Sequence, residues 1–199
     1  MQNQALSPGF TDPVIQSQHI FHQTMMALAN PGTVRLVEAL IEAPQPLSRG
    51  AAALLLALAD YETSVWCDAP LRAQADVAQF IRFHTGAKIV DAPDQAAFAL
   101  VSAPAALEIG LQQFAQGNAD YPDRSTTLIL QLDIIRMGEG FSLSGPGIPG
   151  RCKLSFDPLL PDFVRQWQAN HAAFPCGVDV FGVAGGELIG LPRSLKLEA

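Results

Sequence analysis

The chain has 199 residues, of which 49% are hydrophobic and only 16% charged, and its formal net charge is −7. This composition excludes a disordered chain and predicts a large buried interior. The acidic balance argues against a nucleic-acid-binding surface, which requires a basic stripe.

The longest apolar run, Ala51 to Ala59, is about half of what a membrane span needs. The start, Met1-Gln2-Asn3-Gln4-Ala5, has no basic region and no signal-like apolar core. Cys67, Cys152 and Cys176 are odd in number and widely spaced, with no CxxC pair. That favours reduced thiols over a disulfide framework or a zinc site. The expectation is one cytoplasmic domain spanning residues 1–199.

In chain order, Asp12 caps a first helix with Pro13 at its first position. Val14, Phe21, Met25 and Leu28 fall at near-helical spacing, and Asn30-Pro31-Gly32 ends the element. His19 and His22 lie three apart but lack a third ligand, so they predict surface or interface histidines rather than a metal site. Thr33 to Val37 reads as a short strand. Ser48 caps a helix from Arg49 to Ala59, apolar all round and therefore deeply packed. Asp60 and Glu62 predict a helix exit and a turn ahead of acid–base chemistry. Ser64-Val65-Trp66-Cys67 is a strand ending at Asp68-Ala69-Pro70.

The next helix runs from Ala73 to His84 with Val77, Phe80 and Ile81 on one face and Gly86 at its end. His84, at that carboxyl terminus, is the best single candidate for a titrating group near neutral pH, with helix capping as its plainer role. Ala97 to Val101 is a strand, and a helix is expected from Pro104 to Phe114. Thr126 to Leu132 is the clearest strand of the chain. Met137-Gly138-Glu139-Gly140 predicts a turn that pairs this strand with Phe141 to Leu143. A helix from Leu159 to Ala172 follows. Val178–Val183 and Glu187–Leu191 form a hairpin, and Ser194–Leu197 a last strand. The hairpin tip at Gly185-Gly186 and the terminal strand offer sheet edges to a partner. Early alternation of helix and strand, then hairpins, predicts a three-layer α/β domain with a mixed central sheet.

Between Leu143 and Gly150 the chain reads Leu-Ser-Gly-Pro-Gly-Ile-Pro-Gly. Three glycines and two prolines form a rigid turn at the end of a strand. Such a turn is either structural or an anion nest of backbone N–H groups, although its prolines remove donors and no Lys-Ser/Thr pair follows. There is no GxGxxG, P-loop, GxSxG or HExxH. Apolar neighbours make Cys67 and Cys176 inert thiols rather than nucleophiles.

Several phrases carry a resemblance. They are Gly9-Phe10-x-Asp12-Pro13, Ser17-Gln18-x-x-Phe21, Asn30-Pro31-Gly32, Leu58-Ala59-Asp60-x-Glu62-Thr63-x-Val65-Trp66, Phe83-His84-Thr85-Gly86 and Leu143-x-Gly145-Pro146-Gly147-Ile148. With Asn170-x-x-x-Phe174-Pro175-x-Gly177-Val178-Asp179 and Leu191-Pro192-Arg193, they resemble the H-subunit family of the carbon–phosphorus lyase, PhnH. His22 and Asn30 stand where arginine is commoner, and Cys176 where a basic residue is common. These departures bear on any anion-binding role there.

The resemblance implies an accessory subunit of a bacterial phosphonate-degrading core complex, alongside G, I and J subunits. That complex uses ATP to form ribose 1-methylphosphonate 5-triphosphate with release of adenine. The implied fold is similar to the large domain of pyridoxal-phosphate-dependent transferases, without the cofactor site. The chain is thus expected to be a homodimer on its own, with no cofactor, no metal, no catalytic residue and no activity alone. The alternative is a phosphate- or nucleotide-binding subunit that contributes directly to the transfer site. Its candidate contacts are Gly145, Gly147, Ile148, Arg193 and His84.

Overall fold

A computed structural model describes residues 8–37 and 41–199. Its helices are α1 (Pro13–Ala29), α2 (Arg49–Leu58), α3 (Ala69–Arg72), α4 (Ala75–Thr85) and α5 (Phe163–Ala172). Its strands are β1 (Arg35–Leu36), β2 (Ser64–Cys67), β3 (Lys88–Ile89), β4 (Phe98–Val101), β5 (Thr127–Gln131), β6 (Ile134–Ser144), β7 (Cys152–Asp157), β8 (Asp179–Ala184), β9 (Glu187–Leu191) and β10 (Lys196–Glu198).

The central sheet has the order β1-β9-β8-β5-β4-β2-β3. Strands β3, β2, β4, β5 and β8 run parallel, while β9 is antiparallel to both β8 and β1. The sheet is therefore mixed, as expected. A second sheet, β10-β6-β7, is wholly antiparallel.

Period-2 alternation along each strand separates two cores. Val65, Cys67, Leu100, Ile129, Phe181 and Leu188 pack with residues of α1, α2 and α4. Trp66, Ala99, Val101, Leu128, Leu130 and Ile189 point the other way, against the small sheet and α5. Most of the parallel strands are buried on both faces, which explains their continuous apolar runs.

Helix α2 behaves as its sequence dictates. The Ser48 hydroxyl accepts from the Ala51 N–H, and Gly50 to Leu55 are buried. Each fully buried leucine there contributes about 2 kcal/mol of transfer free energy. Helix α1 has the expected cap, Asp12 accepting from the Ile15 N–H with Pro13 following, but a different buried face. Ile20, Thr24 and Ala27 are buried, whereas Val14, Phe21 and Met25 are 67%, 49% and 56% exposed. The cause is close approach. A Cβ on Gly190 would lie 2.6 Å from the Ala27 backbone, so α1 meets β9 through its small residues.

Four further expectations are corrected. Strand β5 does not turn back onto Phe141, because both its edges are taken by β4 and β8. Residues Ile134–Ser144 instead form one long strand paired to β7, with Gly138 and Gly140 at positive φ in a bulge between Met137 and Phe141. The segment after β4 is not an α-helix. It makes two 3-10 turns, Pro104–Ala106 and Leu111–Gln113, separated by an extended stretch through Gly110. Third, the hairpin is not open at its tip, since β1 pairs with Glu187 and Leu188 of β9, whereas the terminal strand β10 is an edge of the small sheet as expected. Helix α5 starts at Phe163 rather than Leu159, after Pro161 and an Asp162 at φ 49°.

Candidate functional site

Adjacent strands β2 and β4 send their connections to opposite faces. The route to β3 runs through α4, whose Val77, Phe80 and Ile81 join one core. The route from β4 to β5 carries Leu107, Leu111 and Phe114 into the other. Connections that diverge in this way leave a crevice at the carboxyl ends of the two strands, the usual ligand position of open α/β sheets.

Asp68 sits at the head of that crevice, 3% exposed. One carboxylate oxygen accepts from the Leu71 N–H (3.3 Å) and so caps α3; the other accepts from the N–H groups of Ser102 (2.6 Å) and Ala103 (2.9 Å). The Ser102 hydroxyl reaches both oxygens at 3.0 Å. A single carboxylate thus fastens the start of α3 to the end of β4 through charge-assisted bonds.

Beside it lies a cavity of about 280 Å³ lined by Trp66, Asp68, Ala69, Pro70, Arg72, Ala103, Ala106, Leu107, Glu108 and Ile109. Trp66 is held by its indole N–H donating to the Asp91 carbonyl (3.1 Å) and by edge-on contact with Phe114. The Arg72 guanidinium lies 5.6 Å from the centre of the Trp66 ring, within cation–π range. The Cys67 thiol faces the opposite core. Burial above all, and then the Asp68 charge, push its pKa up to about 12, while Arg72 acts in the other direction. It is therefore a protonated, inert thiol at neutral pH.

Asp68, Ser102 and Arg72 were not singled out from the sequence. One signal for the pair was present. Each strand leaves on a polar residue followed by Ala-Pro, Asp68-Ala69-Pro70 and Ser102-Ala103-Pro104, which reads as two helix-initiating caps side by side.

The five residues expected to bind a ligand lie in different settings. Gly145, Gly147 and Ile148 form the turn between β6 and β7, in the small sheet rather than at the carboxyl edge of the parallel one. Gly147 has φ 82°, and a Cβ there would overlap the Ala29 carbonyl and lie 2.9 Å from Pro31. The turn is thus pressed onto the end of α1. Ile148 packs against the core and its N–H donates to the Gly145 carbonyl (3.2 Å).

The Arg193 guanidinium is engaged by protein on every side. It donates to both Asp179 oxygens, the Pro122 and Pro175 carbonyls and the Ser125 hydroxyl. His84 lies in the last turn of α4, tilted against Phe80 and edge-on to Phe83, with its ring against Gly9. Asp60 accepts from the Glu62 and Thr63 N–H groups in the expected turn. Among the described residues, no group of three or more His, Cys, Asp or Glu side chains could hold a metal ion. No helix is long and apolar enough to cross a membrane among those residues.

One surface stands apart. Helix α1 has no Asp, Glu, Lys or Arg in its 17 residues, and exposes Val14, Ile15, Phe21 and Met25. Depletion of charge with aromatic and Met side chains in view is the composition of an interface centre.

Comparison with known proteins agrees with the phrases read along the chain. The family described as "Bacterial phosphonate metabolism protein (PhnH)" matches residues 8–198. The "Alpha-D-ribose 1-methylphosphonate 5-triphosphate synthase subunit PhnH" of Rhizobium meliloti (strain 1021) is 36% identical over 197 residues, 99% of this chain and 98% of that protein. The "Putative C-P lyase subunit protein HtxG" of Stutzerimonas stutzeri is 31% identical over 186 residues, 92% of this chain and 86% of that protein. A match along nearly the whole sequence, through both sheets and the site between β2 and β4, means that the chain belongs to the PhnH family of bacterial phosphonate metabolism proteins.

Proposed function

We propose that the chain is an accessory subunit of the assembly that forms ribose 1-methylphosphonate 5-triphosphate, working in the cytoplasm beside G, I and J subunits in an ATP-dependent step. The observation that carries this reading is the relation to the Rhizobium meliloti synthase subunit, which spans 99% of this chain and 98% of that protein. The uncharged, apolar face of α1 supports a role in assembly, both as a homodimer and within the complex. The run of five parallel strands, extended at one edge by antiparallel β9 and then β1, supports reading residues 1–199 as one domain, similar to the large domain of pyridoxal-phosphate-dependent transferases but without their cofactor site. Omitting the chain from a co-expressed G, I and J preparation tests the reading, with loss of adenine release as the expected result.

A direct phosphate-binding role is a second reading. The positive φ of Gly145 and Gly147 supports it, since such a turn can gather backbone N–H groups. It predicts weaker nucleotide binding by the assembled complex after Ile148→Ser or His84→Gln, and unchanged affinity in both variants removes it.

A further inference from the structure

The cavity between β2 and β4 holds two side chains of opposite charge, Arg72 and Glu108. Among the described residues neither forms an ion pair, with the other or with any third group. The Arg72 guanidinium lies 5.6 Å from the centre of the Trp66 ring, and among the described residues it donates to no carboxylate. The remaining acid in the wall, Asp68, is committed to Leu71, Ser102 and Ala103. Glu108 is therefore the carboxylate that the cavity presents. Trp66, Leu107 and Ile109 supply apolar wall to the same cavity.

A pocket with few polar groups on an apolar lining selects its ligand by where those groups stand. A simple anion would satisfy Arg72 and be repelled by Glu108; a simple cation would do the reverse. At about 280 Å³, the cavity falls just below the usual range of ligand pockets, about 300 to 1,000 Å³, so it suits only a small ligand. We propose that it binds a compact zwitterion, an amine and an oxyacid on a short frame. The oxyacid is received by the Arg72 fork, the amine by Glu108, and the frame lies along the indole of Trp66. A carboxylate and a phosphonate share this chemistry. The site is independent of the subunit reading, because the chain alone can be tested.

The experiment is calorimetric titration of the full chain with 2-aminoethylphosphonate and β-alanine, using ethylphosphonate and ethylamine as controls that each lack one pole. The expected result is saturable millimolar or tighter binding of at least one zwitterion, at least tenfold tighter than either control, with the better zwitterion identifying the oxyacid. Arg72→Gln is expected to weaken it at least tenfold, Glu108→Gln to abolish the preference over ethylphosphonate, and Ala106→Phe, which fills the cavity from an exposed position, to prevent binding. The Trp66 indole N–H resonance should shift on saturation. No saturable binding, equal affinity for ethylphosphonate, or affinity unchanged in Arg72→Gln would each overturn the proposal.

Discussion

Arg193 grips Asp179 through both carboxylate oxygens, Nε to Oδ1 at 3.2 Å and a terminal nitrogen to Oδ2 at 2.6 Å, while the Arg193 backbone N–H adds a third bond to Oδ1 at 2.7 Å. The pair ties the end of β9 to the start of β8, and its further bonds to Pro122 and Ser125 hold the loop before β5. With side chains only 13% and 19% exposed, the loss of one partner leaves a nearly buried charge. Arg193→Ala is expected to lose about 3 kcal/mol of stability, and Arg193→Lys to recover less than half of it, because an ammonium cannot reproduce the fork. Urea unfolding measures both; a loss within the error of a surface control would contradict the anchoring role.

The turn after β6 offers a matched pair of glycines. Gly147 and Gly150 have nearly the same positive φ, 82° and 77°, but only Gly147 has atoms of α1 where a Cβ would go. Gly150→Ala should cost about 1 kcal/mol from backbone strain alone. Gly147→Ala carries that strain and displaces the turn from Ala29 and Pro31, for a loss of about 3 kcal/mol. Equal losses in thermal unfolding would show that the turn is not pressed onto α1.

Much of this fold is legible in the sequence, but the partners of its elements are not. The edges of β2, α4, β5 and the β8–β9 hairpin follow from continuous apolar runs, Gly86 and the Gly185-Gly186 tip, all local signals. Helix α1 was legible as a helix but not in its orientation. Two apolar stripes compete along it, and the buried one is decided by Gly190, far off in the chain. For the same reason the β6 turn was placed against β5. Nothing near Gly138 records that both edges of β5 are occupied by β4 and β8. The site between β2 and β4 was hidden because Asp68 and Ser102 are 34 residues apart and meet only when the strands lie side by side.

Asp68 should therefore be a determinant of local order. Asp68→Ala removes the acceptor of three backbone N–H groups and one hydroxyl, most of them away from water. A loss of about 3 kcal/mol is expected. Asp68→Asn, which keeps one acceptor oxygen, should lose less. Hydrogen exchange at Leu71, Ser102 and Ala103 is the sharper check, since unchanged protection in Asp68→Ala would contradict the clamp.

Cys67 sets an alkaline limit. Its folded pKa of about 12 lies above the ordinary 9.0, so between these values the unfolded chain releases a proton that the folded chain keeps. Ionisation then favours unfolding. The stability it costs is nil below pH 9.0, grows as pH rises, and reaches about 4 kcal/mol near pH 12. The slope of unfolding free energy between pH 9 and 11 should be flatter in Cys67→Ala than in the unmodified chain, whatever the offset between them. Parallel slopes would contradict the buried thiol.

The exposed residues of α1 predict the opposite pattern. Phe21→Ser and Met25→Ser remove side chains that are 49% and 56% exposed, so each should cost the free chain only about 1 kcal/mol. Association, followed by sedimentation of the free chain and by co-elution with partner subunits, should weaken at least tenfold. Normal association with both substitutions present would move the interface elsewhere.

The most direct test of the central claim is co-expression of the chain with G, I and J subunits, with size-exclusion chromatography and assay of adenine release from ATP and methylphosphonate. The expected result is stable co-elution, and loss of adenine release when this chain alone is left out. Separate elution with undiminished release would contradict the assignment of the chain as a required subunit.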